Sequence, residues 1–237
     1  MIEVLNLTKS VNKRVVLAGL NIKVEPGEVY SVLAKPGGGK SMLIDLCLGI
    51  EKPTSGVARI DGHNAGTVLQ RARVAYVPPE FAVYPRLDAF ENLEFIVAAA
   101  ALPPLNRKQI NDLFNACGVD GIAAEKWSSE WSADSRQRLG LAAGIARDAK
   151  AFLLDDPTAK LTRGQVGAFA DFIRRLAKSE VTGQPVAILV ATGDIRFAIE
   201  ASDRIGVMQN GRITAQLDPA SLSGSELERR CQELVGV

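Results

Sequence analysis

Val29-Tyr30-Ser31-Val32-Leu33-Ala34-Lys35-Pro36-Gly37-Gly38-Gly39-Lys40-Ser41-Met42 is the stretch that decides the fold. Val29 to Ala34 is a compact apolar run of the kind that forms a buried strand. Three glycines follow, and Met42 to Ile50 continues with helical spacing. Strand, glycine loop and helix in that order make an anion cradle. Glycines let successive backbone N–H groups curve around an oxyanion without Cβ clashes. A helix beginning near Gly39 adds the positive end of its dipole. Gly37-Gly38-Gly39-Lys40-Ser41 carries the glycines, lysine and hydroxyl of a P-loop, in which Lys40 reaches the β/γ phosphates and Ser41 holds Mg²⁺. The candidate nucleotide-contacting residues are therefore Ala34, Lys35, Pro36, Gly37, Gly38, Gly39, Lys40, Ser41 and Met42. Ala34 occupies a position where the motif has glycine. Alanine disfavours a positive φ, so a strained or reshaped loop is expected there. An ordinary glycine-rich turn is the alternative, and the strand–loop–helix context weighs against it.

Further along, Ala151-Phe152-Leu153-Leu154-Asp155 is an apolar strand ending in a carboxylate. In P-loop proteins such an aspartate assists Mg²⁺, which makes Ser41 and Asp155 the candidate metal ligands. The alternative for Asp155-Asp156-Pro157-Thr158 is a helix cap. Short strands are expected over Ile2 to Leu7, Val15 to Val24, Val57 to Ile60, Val74 to Val77, Val186 to Val190, and in an Ile205–Leu217 hairpin turning at Asn210-Gly211. Helical patterns cover Leu87 to Cys117 with a break at Pro103-Pro104, Ser135 to Arg147, Thr162 to Lys178, Ile195 to Ala201 and the tail from Ser221. Strand and helix alternate, with a helix-rich stretch inserted at about 87–147, which predicts an α/β fold with a mostly parallel sheet.

The 237 residues suggest one large domain or two small ones, and 47% hydrophobic against 23% charged is a globular balance. Lys plus Arg total 28 and Asp plus Glu 27, a net charge of +1, which argues against a nucleic-acid partner. The longest strongly apolar run, Phe95 to Leu102, falls short of the roughly 20 residues of a membrane span. The N-terminus lacks the apolar run of a secretory signal. Cys47, Cys117 and Cys231 are odd in number and widely spaced, which fits neither a disulfide framework nor a zinc site and suits a reducing compartment. His63, the only histidine, lies beside the Asp61-Gly62 turn and reads as a solvated loop residue.

Further segments then fall into a family pattern: Leu5-Asn6-Leu7-Thr8-Lys9, Glu25-Pro26-Gly27-Glu28, Lys52-Pro53-Thr54-Ser55-Gly56, Ile60-Asp61-Gly62, Ala75-Tyr76-Val77-Pro78, Arg136-Gln137-Arg138-Leu139, Leu153-Leu154-Asp155-Asp156-Pro157-Thr158 and Asp203-Arg204-Ile205. With the P-loop, they make the chain resemble an ATP-binding cassette (ABC) ATPase subunit over nearly its whole length. The resemblance implies a P-loop NTPase core with a mostly parallel sheet, an N-terminal antiparallel β subdomain and an inserted helical subdomain. It divides the chain into about 1–86 and 148–237 for the core with its β subdomain, and about 87–147 for the helical part. It also implies ATP and Mg²⁺ as cofactors, a head-to-tail dimer of cassettes, an integral membrane subunit, and a peripheral place on the cytoplasmic face of the membrane. Phe81, Val83 and Tyr84 lie where family members dock the membrane subunit, with ordinary burial as the alternative. Arg136 to Ala142 resembles export-type members most.

The departures from the family pattern form a set. The aromatic residue on which the family stacks adenine is Val11 here, and the glutamine that touches Mg²⁺ and the attacking water is Pro79. The signature segment reads Trp131-Ser132-Ala133-Asp134-Ser135, which sets a carboxylate where a partner's phosphate is expected. The water-polarising glutamate is Asp156, one methylene shorter, and it is the one catalytic candidate. Thr162 replaces an aspartate, Gly193 the switch histidine, and Met42 a threonine. Lys40, Ser41 and Asp155 survive. The resemblance therefore implies ATP–Mg²⁺ binding with impaired or absent hydrolysis. The expected partner is a second, catalytically intact cassette in a heterodimer, with a homodimer as the alternative. A working ATPase and a scaffold without nucleotide are the rival readings.

Overall fold

The computed structural model describes residues 1–119, 125–222 and 224–236. Asn12 and Lys13, at φ 48° and 65°, turn β1 (Ile2–Val11) back into β2 (Arg14–Val24). Positive φ at both turn positions matches the twist of the flanking strands. β4 (Ser55–Ile60) pairs with the other edge of β1, and β5 (His63–Asn64) pairs with β4, giving an antiparallel sheet of order β2-β1-β4-β5. His63 is thus a correction to the sequence reading. Asp61 and Gly62, at φ 51° and 77°, form a two-residue hairpin turn, so His63 pairs with Ile60 and is half-buried rather than a solvated loop residue.

The second sheet has the order β10-β9-β3-β8-β7-β6. Its strands are β3 (Val29–Leu33), β6 (Val74–Val77), β7 (Ala151–Asp155), β8 (Ala187–Thr192), β9 (Arg204–Gln209) and β10 (Arg212–Leu217). All neighbours are parallel except β9 and β10, which form the hairpin expected at Asn210-Gly211. Every residue of β3, β7 and β8 is buried. That explains their unbroken apolar sequences, since central parallel strands are covered on both faces.

Helices α1 (Lys40–Leu48), α2 (Val68–Arg73), α3 (Ala89–Ala99), α4 (Arg107–Cys117), α5 (Ala133–Ala146), α6 (Arg163–Ala177), α7 (Ile195–Ala201) and α8 (Gly224–Val235) complete the described structure. Helices α3, α4 and α5 lie between β6 and β7 in chain order, within the predicted helix-rich insertion. Asp88 with Glu91 and Asn106 with Gln109 form the capping boxes that start α3 and α4. The short helix α2, capped by Thr67, has no counterpart in the sequence reading. One apolar cluster packs α3–α6 against the large sheet through Phe90, Phe114, Leu139, Phe152 and Phe169. A second joins the two sheets around α1 through Ile2, Leu17, Tyr30, Leu43 and Ile44. The three cysteines are free and buried. No described helix is long and apolar enough to cross a membrane.

Parallel strands deliver their C-terminal ends to one edge. Leu33 pairs with Thr192, Asp155 with Ala191, and Val77 with Leu154. Ala34, Asp156, Gly193 and Pro78-Pro79 follow directly, so four widely separated segments meet beyond that edge. Open α/β sheets bind ligands in such places.

Candidate functional site

Gly39 is the N-cap of α1 at φ 97°, with no side chain capping the helix. A Cβ there would approach Leu17 Cδ2 to 2.9 Å, so both the backbone angle and the space require glycine. Gly37 is also left-handed, at φ 74°. Ala34 is not among the residues at positive φ, and its N–H donates to Thr192 O at 3.1 Å. The expected strain at Ala34 is therefore absent: the residue still has strand-like partners, and the loop's positive φ angles fall on glycines.

The Lys40 side chain is 7% exposed and folds back over the loop. Its ammonium donates to Ala34 O at 3.0 Å and Lys35 O at 3.3 Å, and lies 3.5 Å from Asp156 Oδ2. Asp155 ends β7 rather than capping a helix. It is 5% exposed and its Oδ1 has no hydrogen-bond partner. Burial holds its carboxyl above the usual carboxylate range and the charges of Asp156 and Asp45 add to the rise, while the Ser41 hydroxyl and Lys40 oppose it. A buried, orphaned carboxylate oxygen beside a hydroxyl is a donor set that suits a hard divalent cation.

Asp156 adopts φ 40°, in the left-handed region. Its N–H donates to Ala191 O at 2.7 Å, and its Oδ1 accepts the Gly193 N–H at 2.8 Å. The carboxylate is thus held between the end of β8 and Lys40. Gly193 itself borders the phosphate loop: a Cβ there would lie 3.5 Å from Ala34 O and 3.6 Å from Lys40 Nζ. Thr158 Oγ1 donates to Asp194 Oδ2 at 2.9 Å, and Asp194 caps α7. Thr162 caps α6 in a capping box with Gln165.

The signature segment opens α5. Ser132 is its N-cap and accepts the Ser135 N–H at 3.1 Å. Asp134, expected to set a carboxylate where a partner's phosphate sits, makes an ion pair within its own helix. Its Oδ2 accepts from Arg138 Nε at 2.7 Å, one turn along the same helix, and both side chains are largely buried. Arg138 also donates to Cys117 O at 2.8 Å and lies over the Phe172 ring. The Asp134/Arg138 spacing of four was legible as a helical ion pair, and the sequence reading did not use it. It missed Gln137 as well, a buried side chain whose Nε2 donates to both Pro78 O and Pro79 O at 2.9 Å. Trp131 is buried with Nε1 donating to Lys126 O, whereas Trp127 is exposed.

Phe81 packs where Gly140 leaves room, and Val83 is partly buried beside it. They line a hollow of about 330 Å³ with Glu80, Pro85 and Arg136, while the half-exposed Tyr84 stands edge-on to Phe95. On the other side of the phosphate loop, a groove of about 730 Å³ runs from Gly37 and Gly38 past Val11, Arg14 and Val15 to Asn210. Lys35, Pro36 and Met42 complete the candidate set: the first two are exposed on the loop, and Met42 is half-buried in α1.

A family model described as ABC transporter matches residues 17–159. The chain is 30% identical over 224 residues to an ABC transporter ATP-binding protein, YdbJ, of Bacillus subtilis (strain 168), covering 93% of this chain and 69% of the relative. It is 30% identical over 220 residues to the sulfate/thiosulfate import ATP-binding protein CysA of Bradyrhizobium diazoefficiens, covering 90% and 62%. It spans about half, 48%, of a ribose import ATP-binding protein, RbsA, of Bacillus licheniformis. The relatives whose names give a direction here are import proteins, unlike the export-type resemblance of Arg136 to Ala142. In fold, the chain matches cbiO1 from Clostridium perfringens, part of the ABC transporter complex cbiONQ, with a TM-score of 0.81 at 23% identity over 98% of this chain and 94% of that one. A bacterial ABC transporter cassette solved as a dimer matches with a TM-score of 0.77 at 21% identity, over 92% of this chain and 99% of that one. Sequence and architecture agree: this chain belongs to the ABC transporter family and is its nucleotide-binding (ATPase) domain.

Proposed function

We propose that this chain binds ATP–Mg²⁺ in a transporter complex and turns it over poorly or not at all. In this reading the loop from Ala34 to Met42 holds the phosphates, with Lys40 on the β/γ pair, and Ser41 and Asp155 hold the magnesium. The orphaned Asp155 Oδ1 supports that metal assignment. Bound there, magnesium would neutralise charge developing on the phosphates.

One observation carries the claim of poor turnover. Asp156, the carboxylate at the position of the family's base, is tied to Gly193 N–H and paired with Lys40. Its neighbours give no help, because Pro79 has no side-chain donor or acceptor and Gly193 has no side chain. A misplacement of about 1 Å can cost roughly 10²-fold in rate. A missing base or water-positioning group costs typically about 10²–10⁴.

The remaining parts follow the family. Residues of about 87–147 act as the helical subdomain. The chain works beside a second cassette with intact motifs, and an integral membrane subunit engages the hollow at Phe81 and Val83 from the cytoplasmic side. Names of relatives as import ATP-binding proteins favour a second reading, that of a working ATPase.

Calorimetry and phosphate release on the purified chain separate the two readings. ATP–Mg²⁺ binding that Lys40→Ala weakens at least tenfold, without turnover above background, is the expected result. Robust turnover that Lys40→Ala removes would establish the working ATPase. An absence of binding would leave a scaffold.

A further inference from the structure

We infer that the base end of this nucleotide site does not select adenine and that Arg14 is the side chain that holds the purine. The inference rests on the nucleotide-binding reading above. It concerns the groove of about 730 Å³ that opens from Gly37 and Gly38 of the phosphate loop. Two hairpin tips fix its walls. Val11 and Arg14 are cross-strand partners at the tip of β1 and β2. On the other side, Ala18 N–H donates to Gly211 O at 2.8 Å and holds the Asn210-Gly211 turn against β2.

The lining decides what the groove can recognise. Among the described residues it contains no aromatic ring and no carboxylate. Val11 and Val15 are 39% and 53% exposed and offer apolar surface that any base can cover. Arg14 is exposed and makes no ion pair among the described residues. Its guanidinium is a flat plate with donors only. Face-on, it stacks on either purine. Edge-on, it matches the two acceptors O6 and N7 of guanine, whereas adenine presents an amino donor at the same place. Both geometries admit guanine. Asn12 and Asn210 also line the groove, and each amide sets an NH₂ donor beside a carbonyl acceptor, which would suit the adenine edge. Arg14 and the asparagines therefore make opposite predictions.

The test is calorimetric titration of the chain with GTP–Mg²⁺, ATP–Mg²⁺ and tripolyphosphate–Mg²⁺. GTP is expected to bind at least as tightly as ATP, and both more tightly than tripolyphosphate. Arg14→Ala should weaken both nucleotides about two- to fivefold and leave tripolyphosphate unchanged, the size of an exposed cation–π contact. Arg14→Lys, which keeps the charge and loses the plate, should not restore them. ATP favoured over GTP by more than tenfold overturns the proposal in favour of the asparagines. Equal loss for tripolyphosphate shows Arg14 reading phosphate, and overturns it too. Tripolyphosphate binding as tightly as either nucleotide overturns the base contact and leaves the phosphate cradle standing. Failure of all three ligands to bind overturns both readings together.

Discussion

Helices α1 and α5 begin in opposite ways. The first turn of α1 starts at Gly39, in a left-handed conformation with no side chain to cap it. Its N–H donors are left for a ligand, and the dipole reinforces them. The first turn of α5 turns groups inward, with Ser132 accepting from Ser135 N–H and Asp134 Oδ2 accepting from Arg138, while Asp134 Oδ1 is buried without a partner. One helix start leaves its donors open, and the other commits a hydroxyl and one carboxylate oxygen to its own helix. In this family's dimer both would face phosphate, the second across the partner. On the reading proposed above, binding by this chain and donation to a partner are separable properties, and the two helix starts are where they part.

The strand ends around α1 offer the largest test of that contrast. Pro79→Gln, Asp156→Glu and Gly193→His together should raise ATP turnover by about 10², the low end for restored water-positioning groups. A side chain fits at Gly193, where a Cβ would make ordinary contacts of 3.5 Å to Ala34 O and 3.6 Å to Lys40 Nζ. Phosphate release at saturating ATP reads the effect. An unchanged rate with intact binding would move the deficit from the strand ends to α5, which sharpens the comparison rather than ending it.

The parts of the site most legible in the sequence were the contiguous ones. Gly37 to Ser41 could be read directly because strand, turn and helix follow one another within a single loop, and each residue type answers to a local backbone demand. Asp155 was legible for a similar reason, as a carboxylate at the end of an unbroken apolar strand. The features that escaped were set by tertiary contact. The Asp156 pairing with Lys40 and Gly193 depends on three strands ending at one edge. The placement of Gln137 under Pro78 and Pro79 depends on α5 crossing the end of β6. His63 was misjudged because the two-residue turn at Asp61-Gly62 returns the chain directly into strand, pairing His63 with Ile60 and Asn64 with Arg59. The Asp134–Arg138 pair escaped for a different reason. Family position suggested a charge facing outward, while its own helix supplied a cation four residues on.

That pairing gives the next effect in size. Asp134→Ala leaves the Arg138 guanidinium, 11% exposed, without its carboxylate. Removing one partner of a largely buried pair costs about 3 kcal/mol. For a chain of this size each kcal/mol lowers Tm by about 2–4 °C, so a fall of roughly 6–12 °C is expected by calorimetric melting. A variant that melts like the parent while raising the turnover of an associated cassette would mean that Asp134 faces the partner's phosphate after all, and the two helix starts would then differ only in sign of charge.

Ser132 supplies the smallest effect and the most direct reading of the contrast. Its hydroxyl takes the Ser135 N–H at 3.1 Å from an extended backbone, φ −64° and ψ 159°, so Ser132→Ala removes the cap without disturbing the chain's path. The cost is about 1 kcal/mol, against a few tenths for Ser132→Gly, where water reaches the freed donor more easily. The reverse operation is closed to α1, because a side chain at Gly39 meets both a φ of 97° and Leu17 Cδ2 at 2.9 Å. Ser132→Ala should therefore lower Tm by about 2–4 °C while ATP–Mg²⁺ affinity, measured by titration, stays within about twofold. An affinity loss of the size expected for Lys40→Ala would mean that the hydroxyl serves the nucleotide rather than the helix, and the start of α5 would then be a second receiving end.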